Sequence, residues 1–285
     1  MLKYEGLGND FLVWLDRDGS FPTASEHAVA VCERHRGFGA DGLLRGAPAP
    51  AGAGQDAALT FELRNADGSA AEMSGNGLRC LVHAAIDEGM VGASAGSTVA
   101  VLTPAGTRRV LVHEMADGYM WAATEMGEPK VTGEPERCNV GHGQLFVDVG
   151  NPHLVVLGPD PATVDVAVLG PLLGRGAEPS AAGLNVEFVT LGPGPDELTM
   201  RVWERGVGET QACGTGSVAS AAALHHWGRV GRRVVVHQPG GAAEVELRPD
   251  GVAVLSGPSH RVGWCMLATR PVGRGGHPGQ AEGQA

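Results

Sequence analysis

Short segments in which apolar and polar residues alternate dominate this chain. A period of two is typical of β-strands that have one buried face and one exposed face. The segments with this pattern are residues 11–16, 59–64, 98–103, 145–150, 198–204, 233–238, 243–248 and 252–257. Apolar residues at helical spacing occupy 25–36, 77–89 and 216–228. Because strands and helices do not alternate regularly, the pattern predicts a β-rich α+β fold and not a parallel α/β sheet.

Two pairs of segments recur in the same order along the chain. "GNDFLV" at 8–13 resembles "GNPHLVV" at 150–156, at an offset of 142 residues. "SGNGLRCLVHAA" at 74–85 resembles "CGTGSVASAAAL" at 213–224, at an offset of 139 residues. One such pair could be chance similarity between glycine-rich turns, but two pairs in order favour a duplicated architecture of two similar halves.

Composition excludes several classes of protein. The formal net charge of −11 over 285 residues argues against a nucleic-acid binder, which needs clustered Lys and Arg. No run approaches the roughly 18 apolar residues of a membrane helix, and the N-terminus lacks a signal-peptide pattern, so we expect a cytoplasmic protein. The five cysteines form no CxxC pair and the histidines no HExxH, so neither a disulfide framework nor a metal site is expected. The Gly- and Pro-rich segments 46–58 and 271–285 predict a surface insertion and a disordered tail.

The repeated Gly-x-Gly turns carry candidate chemistry. Each runs into an apolar helix, whose first backbone N–H groups lack intrahelical partners and can bind an anion. Ser74 and Cys213 precede the two turns, and the helix N-terminus is expected to lower the pKa of the Cys213 thiol. Two such helices meeting end to end would hold a carboxylate with an acid/base group on either side of its α-carbon. That arrangement suits removal of the α-proton of an amino acid.

The motifs "GLGNDF", "RGFGADGLL", "NADGSAAEMSGNGLRC", "GNPH", "NVEF" and "ERGVGETQACGTG" together resemble the diaminopimelate epimerase family. The similarity runs in order from Gly6 to about Gly257. It implies a cofactor-independent epimerase with two similar domains, each a mixed β-sheet curled around a central helix. It also implies diaminopimelate as the substrate and a homodimer, while the charge, the hydropathy and the histidine spacing predict no nucleic-acid partner, no membrane partner and no metal. The expected division is 1–125, 126–257, a last strand at 258–270 that returns to the first domain, and the tail at 271–285.

The resemblance also implies roles for individual residues. Cys213 matches one of the family's two catalytic cysteines, and Ser74 stands where the family has the other. His153 and Glu204 match positions that tune the pKa values of the catalytic pair. The residues that match substrate-binding positions are Asn9, Asn65, Gly75, Asn76, Asn151, Asn185, Glu204, Arg205, Gly214 and Thr215. The remaining cysteines, Cys32, Cys80, Cys138 and Cys265, are expected to be small buried hydrophobic residues.

Serine at position 74 is the departure from the family pattern. A hydroxyl is a far weaker acid than a thiol and a poor unassisted base near neutral pH. One interpretation is a slow or direction-biased epimerase in which Cys213 abstracts the proton, and Ser74 or a water delivers one from the opposite side. The alternative is a one-base isomerase or lyase, or a non-catalytic amino-acid binder, on the same fold.

Overall fold

The computed structural model describes residues 1–20, 23–54, 56–71, 73–136, 142–158, 160–175 and 183–266. The first half contains the strands β1 Leu2–Gly6, β2 Asn9–Leu15, β3 Gly42–Pro48, β4 Leu59–Asn65, β5 Ala70–Ala71, β6 Thr98–Thr103, β7 Gly106–Ala116 and β8 Tyr119–Gly127. Its helices are α1 Ser25–Cys32 and α2 Gly75–Asp87. The second half contains β9 Lys130–Glu136, β10 Gly143–Asp148, β11 Pro152–Leu157, β12 Asn185–Leu191, β13 Glu197–Glu204, β14 Gly208–Thr210, β15 Arg233–Gln238, β16 Gly241–Leu247 and β17 Ala253–Trp264. Its helices are α3 Val166–Leu173 and α4 Gly214–His226, and a 3-10 turn lies at Pro161–Thr163.

The strand pairing of the first half recurs in the second. β1 to β4 pair antiparallel, parallel and antiparallel in turn, and β10 to β13 do the same. β4 then pairs with β5 and, in parallel, with β6, as β13 pairs with β14 and β15. The antiparallel ladders β6–β7–β8 and β15–β16–β17 complete the correspondence. The duplicated, mixed-sheet α+β architecture predicted from the sequence is thereby confirmed.

Helices α2 and α4 form the centre of the two halves. Residues 75–85 and 214–224 are buried on every side, which requires surrounding sheet on all faces of each helix. α2 contacts β1 to β4, β7, β8 and β17, and α4 contacts β9 to β13 and β15 to β17. The two helices also contact each other. No helix in the described part of the chain is long and apolar enough to cross a membrane.

β17 links the two halves. It pairs antiparallel with β16 of the second half and with both β8 and β1 of the first. Long-range pairing of this kind places the C-terminal strand against the N-terminal one, with Leu2 opposite Trp264. The division at 125/126 and 257/258 stays a prediction, and the tail at 271–285 lies outside the described residues.

Several element boundaries differ from those predicted. α2 and α4 each begin two residues earlier than the apolar periodicity indicates, because the glycines of the Gly-x-Gly turns form the first helical turn. α1 ends at Cys32 and not at 36, because the C-cap residue Glu33 has extended backbone, with φ −60° and ψ 125°. The predicted insertion at 46–58 is wrong at its start, where Gly46 and Ala47 are buried within β3. α3 was not predicted from the sequence.

Candidate active site

The N-termini of α2 and α4 meet in the middle of the molecule. Ser74 Oγ caps α2 by accepting the Gly77 N–H at 3.0 Å, and Cys213 Sγ caps α4 by accepting the Gly216 N–H at 3.3 Å. Both cap residues have extended backbone, as N-cap residues do. A Cβ placed on Gly214 would lie 3.4 Å from the Cα of Gly75, so the first turns of the two helices touch.

A cavity of about 480 Å³ opens beside these two helix ends. Most residues that the sequence assigns to the site line it: Asn9, Asn65, Ser74, Asn151, Asn185, Glu204, Arg205, Cys213, Gly214 and Thr215. Gly75, Asn76 and His153 are buried directly behind the lining and do not form part of it. The lining also includes acids and hydroxyls that sequence reasoning missed, among them Asp41, Asp67, Ser69 and Thr210.

In the first half, two hydrogen-bonded asparagine side chains connect the buried guanidinium of Arg79 to the carboxylate of Asp41. The Arg79 guanidinium donates to Asn76 Oδ1, and Asn76 Nδ2 donates to Asn9 Oδ1 at 3.4 Å. Asn9 Nδ2 then donates to Asp41 Oδ2 at 2.8 Å. Asn65 lies at the end of β4, where its Nδ2 donates to Ser69 Oγ at 3.0 Å. These bonds fix the amide groups that face the cavity.

On the side of the second half, Arg205 lies at the cavity mouth. Its side chain is exposed and its Nη1 donates to the Gly183 carbonyl at 3.3 Å. Its backbone N–H donates to Asn185 Oδ1 at 2.9 Å, which ties the end of β13 to the start of β12. The guanidinium therefore remains at the entrance, where its fork can receive a carboxylate.

The thiol of Cys213 lies in a buried, acidic corner. Burial raises its pKa well above the ordinary value, and the charges of Glu204 and Glu187 raise it further. The Thr215 hydroxyl and the Gly216 N–H oppose these effects but do not overcome them. The Gly216 N–H at the helix terminus lowers this pKa as the sequence predicts, but the net shift is upward, because one helix end cannot offset burial together with two nearby carboxylates.

Glu204 lies beside this thiol and has a carboxyl of raised pKa. Burial raises the pKa of its carboxyl to about 7, against hydrogen bonds from the Thr210 hydroxyl and the Cys213 side chain that lower it. A carboxyl with this pKa is present in both protonation states near neutral pH. Glu204 therefore lies in hydrogen-bond contact with Cys213, and its role in tuning the pKa values of the pair stays a prediction.

His153 does not touch the cavity. Its Nδ1 lies 2.7 Å from Glu187 Oε1 and its Nε2 lies 2.9 Å from Asn151 Oδ1. Asn151 Nδ2 donates to Thr215 Oγ1 at 3.4 Å, and Thr215 Oγ1 lies 3.5 Å from Cys213 Sγ. Along this hydrogen-bonded path, the side chains of Asn151 and Thr215 separate His153 from the thiol. Glu187 is an acid within an apolar strand, and that was its only signal in the sequence.

Ser74 has much simpler surroundings than Cys213. It is half-buried, and among the described residues the Gly77 N–H is the hydrogen-bond partner of its hydroxyl. Glu72 lies outside the described residues. In the described part of the chain, no three His, Cys, Asp or Glu side chains are grouped so as to hold a metal ion. Cys32 and Cys80 are fully buried as expected, Cys265 is only half-buried, and Cys138 lies outside the described residues.

Comparison with solved structures gives the fold. A probable proline racemase from Agrobacterium radiobacter with bound carbonate superposes with a TM-score of 0.71, at 20% identity over 95% of this chain and 93% of that one. A hydroxyproline epimerase from Agrobacterium vitis with bound trans-4-hydroxy-L-proline has a TM-score of 0.68, at 19% identity over 92% of this chain and 88% of that one.

Sequence comparison gives the family. A diaminopimelate epimerase from Corynebacterium glutamicum is 40% identical over 262 residues, covering 88% of this chain and 91% of that one. One from Synechococcus elongatus is 37% identical over 274 residues, covering 91% and 95%. The sequence model described as diaminopimelate epimerase matches residues 1–132 and 145–262. The chain belongs to the diaminopimelate epimerase family.

Proposed function

We propose that the protein interconverts LL- and meso-diaminopimelate by α-proton transfer without a cofactor. The observation that carries this proposal is the meeting of two N-capped Gly-x-Gly helices, with Cys213 on one and Ser74 on the other, at a single cavity. The identity of the substrate is inferred from the relatives that are named diaminopimelate epimerase. The reaction would take place in the cytoplasm and supply meso-diaminopimelate for lysine and peptidoglycan.

The reacting carboxylate is placed between the two helix ends. The first-turn N–H groups of Gly75, Asn76, Gly214 and Thr215 have no intrahelical acceptor, and the two helix starts that carry them touch at Gly75 and Gly214. As the α-proton leaves, negative charge spreads onto the carboxylate, and fixed donors stabilise it without reorganising. Glycine at the start of each helix lets the carboxylate approach the backbone closely.

Cys213 is assigned the proton transfer on one face of the α-carbon. Its thiol is protonated in the ligand-free pocket because burial and two carboxylates raise its pKa. Glu204, whose carboxyl pKa is about 7, accepts the thiol proton and leaves a thiolate that can remove the α-proton. On the opposite face Ser74, or a water beside it, supplies the new proton. That side is the slow one, because a hydroxyl is a much weaker acid than a thiol.

The remaining lining residues are assigned to the second amino-acid end of the substrate. Arg205 at the mouth would bind the distal carboxylate through its fork. The Asp41 carboxylate, held by Asn9, suits an ammonium group. The other amides assigned to substrate binding are Asn65, Asn151 and Asn185. This set discriminates a charged distal end from an apolar one, since polar groups left unpaired in a site reject the wrong ligand.

A homodimer is part of the same proposal. Val262, Trp264 and Met266 expose 60%, 68% and 89% of their surface at the end of β17. Apolar side chains exposed side by side are typical of a surface that another chain covers. Light scattering coupled to size-exclusion chromatography would give a mass of twice 29.3 kDa if the chain dimerises, and 29.3 kDa if it does not.

Proton NMR of LL-diaminopimelate in D2O tests the proposed reaction. Wild-type protein and Ser74→Cys are compared at equal concentration, with Cys213→Ala as the control that removes the proposed base. Meso product carrying deuterium at the α-carbon supports the proposal, and the Ser74→Cys variant is expected to form it faster. A folded protein that catalyses no exchange in either form would rule out the epimerase.

The alternative function is a one-base isomerase or lyase, or an amino-acid binder. Serine in place of the second thiol is the observation that favours it. Binding of diaminopimelate by calorimetry, without exchange in wild-type protein but with exchange in Ser74→Cys, would establish the amino-acid binder. Exchange by wild-type protein would exclude the binder.

A further inference from the structure

A buried cation without an acidic partner lies behind the start of α2. The Arg79 side chain is 0% exposed and forms no ion pair among the described residues, and its Nη1 atom has no hydrogen-bond partner there. Burial lowers the pKa of the guanidinium only to about 10, so Arg79 carries its charge at neutral pH. An unpaired charge is costly to bury, and an anion bound nearby would offset that cost.

The acids on β1, on β2 and in the turn before β3 have other partners. Each of them lies within 3 Å of a different basic side chain: Glu5 of His260 at 2.7 Å, Asp10 of Lys3 at 2.6 Å and Asp41 of Arg34 at 2.8 Å. α2 itself has no acid in its first turn. These acids therefore do not supply the counter-charge of Arg79.

The guanidinium of Arg79 points back toward the start of its helix. Side chains on an α-helix lean toward the N-terminus, so Arg79 reaches Asn76, three residues earlier. Its Nη2 donates to Asn76 Oδ1, and its Nε donates to the Pro258 carbonyl at 3.4 Å. Gly257 on β17 leaves room for the guanidinium, since a Cβ there would lie 3.0 Å from Nη2 and 3.3 Å from Cζ.

Arg79 also determines how two amide groups are oriented. A guanidinium only donates hydrogen bonds, so Asn76 must present Oδ1 to Arg79. Its Nδ2 is then left to donate to Asn9 Oδ1 at 3.4 Å, and Asn9 Nδ2 faces Asp41 Oδ2 at 2.8 Å. Asn9 lines the cavity, whereas Arg79 does not. The cation thus acts on the cavity through Asn76.

Packing alone does not require a cation at this position. The two Gly-x-Gly helices correspond at an offset of 139 residues, and Val218 on α4 occupies the place of Arg79 on α2. Val218 is also 0% exposed, so an apolar side chain fills the equivalent space in the second half. Arginine at position 79 therefore has a role beyond filling the centre of the first half.

We propose that Arg79 is a positioning residue for the reacting carboxylate, which its charge favours and to which it is linked through Asn76. The Asn76 backbone N–H is one of the first-turn donors assigned to that carboxylate, and Arg79 holds the Asn76 side chain. A fixed cation in a buried site stabilises the negative charge that spreads onto the carboxylate as the α-proton leaves. The inference rests on the proposed function in taking the substrate carboxylate as the anion.

The first test uses a thiol at position 74 to measure the effect of the Arg79 charge at the start of α2, without turnover. Ser74→Cys combined with Cys213→Ala places one thiol in the cavity. The pH dependence of its alkylation by iodoacetamide, followed by peptide mass spectrometry, gives its pKa, and the plateau rate at high pH reports access of the reagent. We expect this pKa to lie below the reference of about 8.5.

Two Arg79 variants in this background separate charge from hydrogen bonding. Arg79→Gln keeps a donor for Asn76 but removes the charge, so the alkylation rate at pH 7 should fall about tenfold as fewer thiols ionise. Arg79→Lys keeps the charge and should stay within about twofold of the protein that retains Arg79. Circular dichroism checks that each variant is folded.

Arg261→Gln is the matched control. Arg261 lies 3.1 Å from Asp87 at the other end of α2, and the length of the helix places it about 18 Å from position 74. Its loss should change the alkylation rate less than twofold. Equal rates in Arg79→Gln and Arg79→Lys would overturn the proposal. A thiol pKa above about 8.5 in the protein that retains Arg79 would also overturn it, and that result needs no Arg79 variant to fold.

The second test measures α-proton exchange from LL-diaminopimelate in D2O with Ser74 and Cys213 in place. Arg79→Gln should lower kcat about tenfold or more with a smaller effect on KM, because the charge on the carboxylate grows toward the transition state, and Arg79→Lys should restore most of the loss. Exchange that Arg79→Gln leaves unchanged would overturn the role of Arg79 and leave the epimerase proposal standing. No exchange in wild-type protein, with the tenfold effect on the thiol intact, would refute the epimerase and support Arg79 as the cation that favours an anion at this helix start.

Discussion

Gly75→Ala tests whether the close approach of the two helix ends is required. A Cβ at this position would lie 2.6 Å from Leu255 Cδ2, and 3.0 and 3.1 Å from the sulfur and methyl group of Met126. Leu255 and Met126 are 0% and 1% exposed, so neither can swing into solvent. Two effects compete: alanine favours a helix by up to about 1 kcal/mol over glycine, while overpacking a core costs about 1–3 kcal/mol. Overpacking should win because the contacts come from two sides.

After the helix gain is subtracted from the overpacking cost, the expected net loss is about 1–2 kcal/mol, which corresponds to a fall in Tm of roughly 2–8 °C for a chain of this size. Thermal unfolding by circular dichroism measures it, and the D2O exchange assay should show a lower rate as the helix ends separate. Gly92→Ala is the matched control, since a Cβ there meets no atom within 4 Å. Combining Gly75→Ala with Leu255→Val should cost less than the sum of the two single changes. A Gly75→Ala protein with wild-type Tm and wild-type exchange would refute this reasoning.

Three further changes test the chemistry of the site. Ser74→Cys should raise the rate of α-proton exchange by about 100-fold, because a positioned acid of suitable pKa replaces a hydroxyl; an unchanged rate in the NMR assay would contradict the assignment of Ser74. Glu204 should be needed as a carboxylate, so the wild-type rate should rise with pH through about 7 and that rise should vanish in Glu204→Gln. The pKa of Glu204 is higher in the folded protein, about 7, than in the unfolded chain, so the ionised carboxyl destabilises the fold once the pH rises above about 7. Glutamine is never ionised. Glu204→Gln should therefore unfold at a higher urea concentration than wild type at pH 8, and at the same urea concentration at pH 4. Arg205→Lys should raise KM about tenfold with little change in kcat, because the lysine ammonium cannot bind the distal carboxylate of the substrate through two parallel N–H groups. Steady-state kinetics measures both constants. A fall in kcat would show instead that Arg205 acts on the reacting centre.

Local sequence patterns were enough to predict the secondary structure around the site. The strands at 98–103 and 233–238 lie where the alternation of apolar and polar residues placed them. The starts of α2 and α4 were misplaced because apolar periodicity begins only after the glycines, whereas Ser74 and Cys213 are the capping residues. Serine directly before the first glycine, a preferred N-cap residue, was the signal available in the sequence for the correct start of α2.

The electrostatics of the site could not be predicted, because they depend on contacts between distant segments. His153 and Glu187 are 34 residues apart and meet only through the parallel pairing of β11 and β12. Asp41 reaches the cavity because the turn before β3 lies against β2, where the Asp41 N–H bonds to the Asp10 carbonyl at 2.9 Å. The helix terminus beside Cys213 was visible in the sequence, whereas the burial and the carboxylates that outweigh it were not.

The repeated strand pairing of the two halves does not make the site chemically symmetric. Around α4 lie two acids, and their charges raise the pKa of Cys213. Inside α2 lies a buried cation, Arg79, whose guanidinium pKa burial lowers to about 10 and which therefore remains charged at neutral pH. The charges around α4 thus favour a protonated thiol at Cys213, whereas the Arg79 cation on α2 favours an anion at the start of that helix. Ser74→Cys would make the two reacting groups the same, but the acids around α4 and the Arg79 cation on α2 would remain. The two thiols would therefore still transfer protons in different electrostatic surroundings.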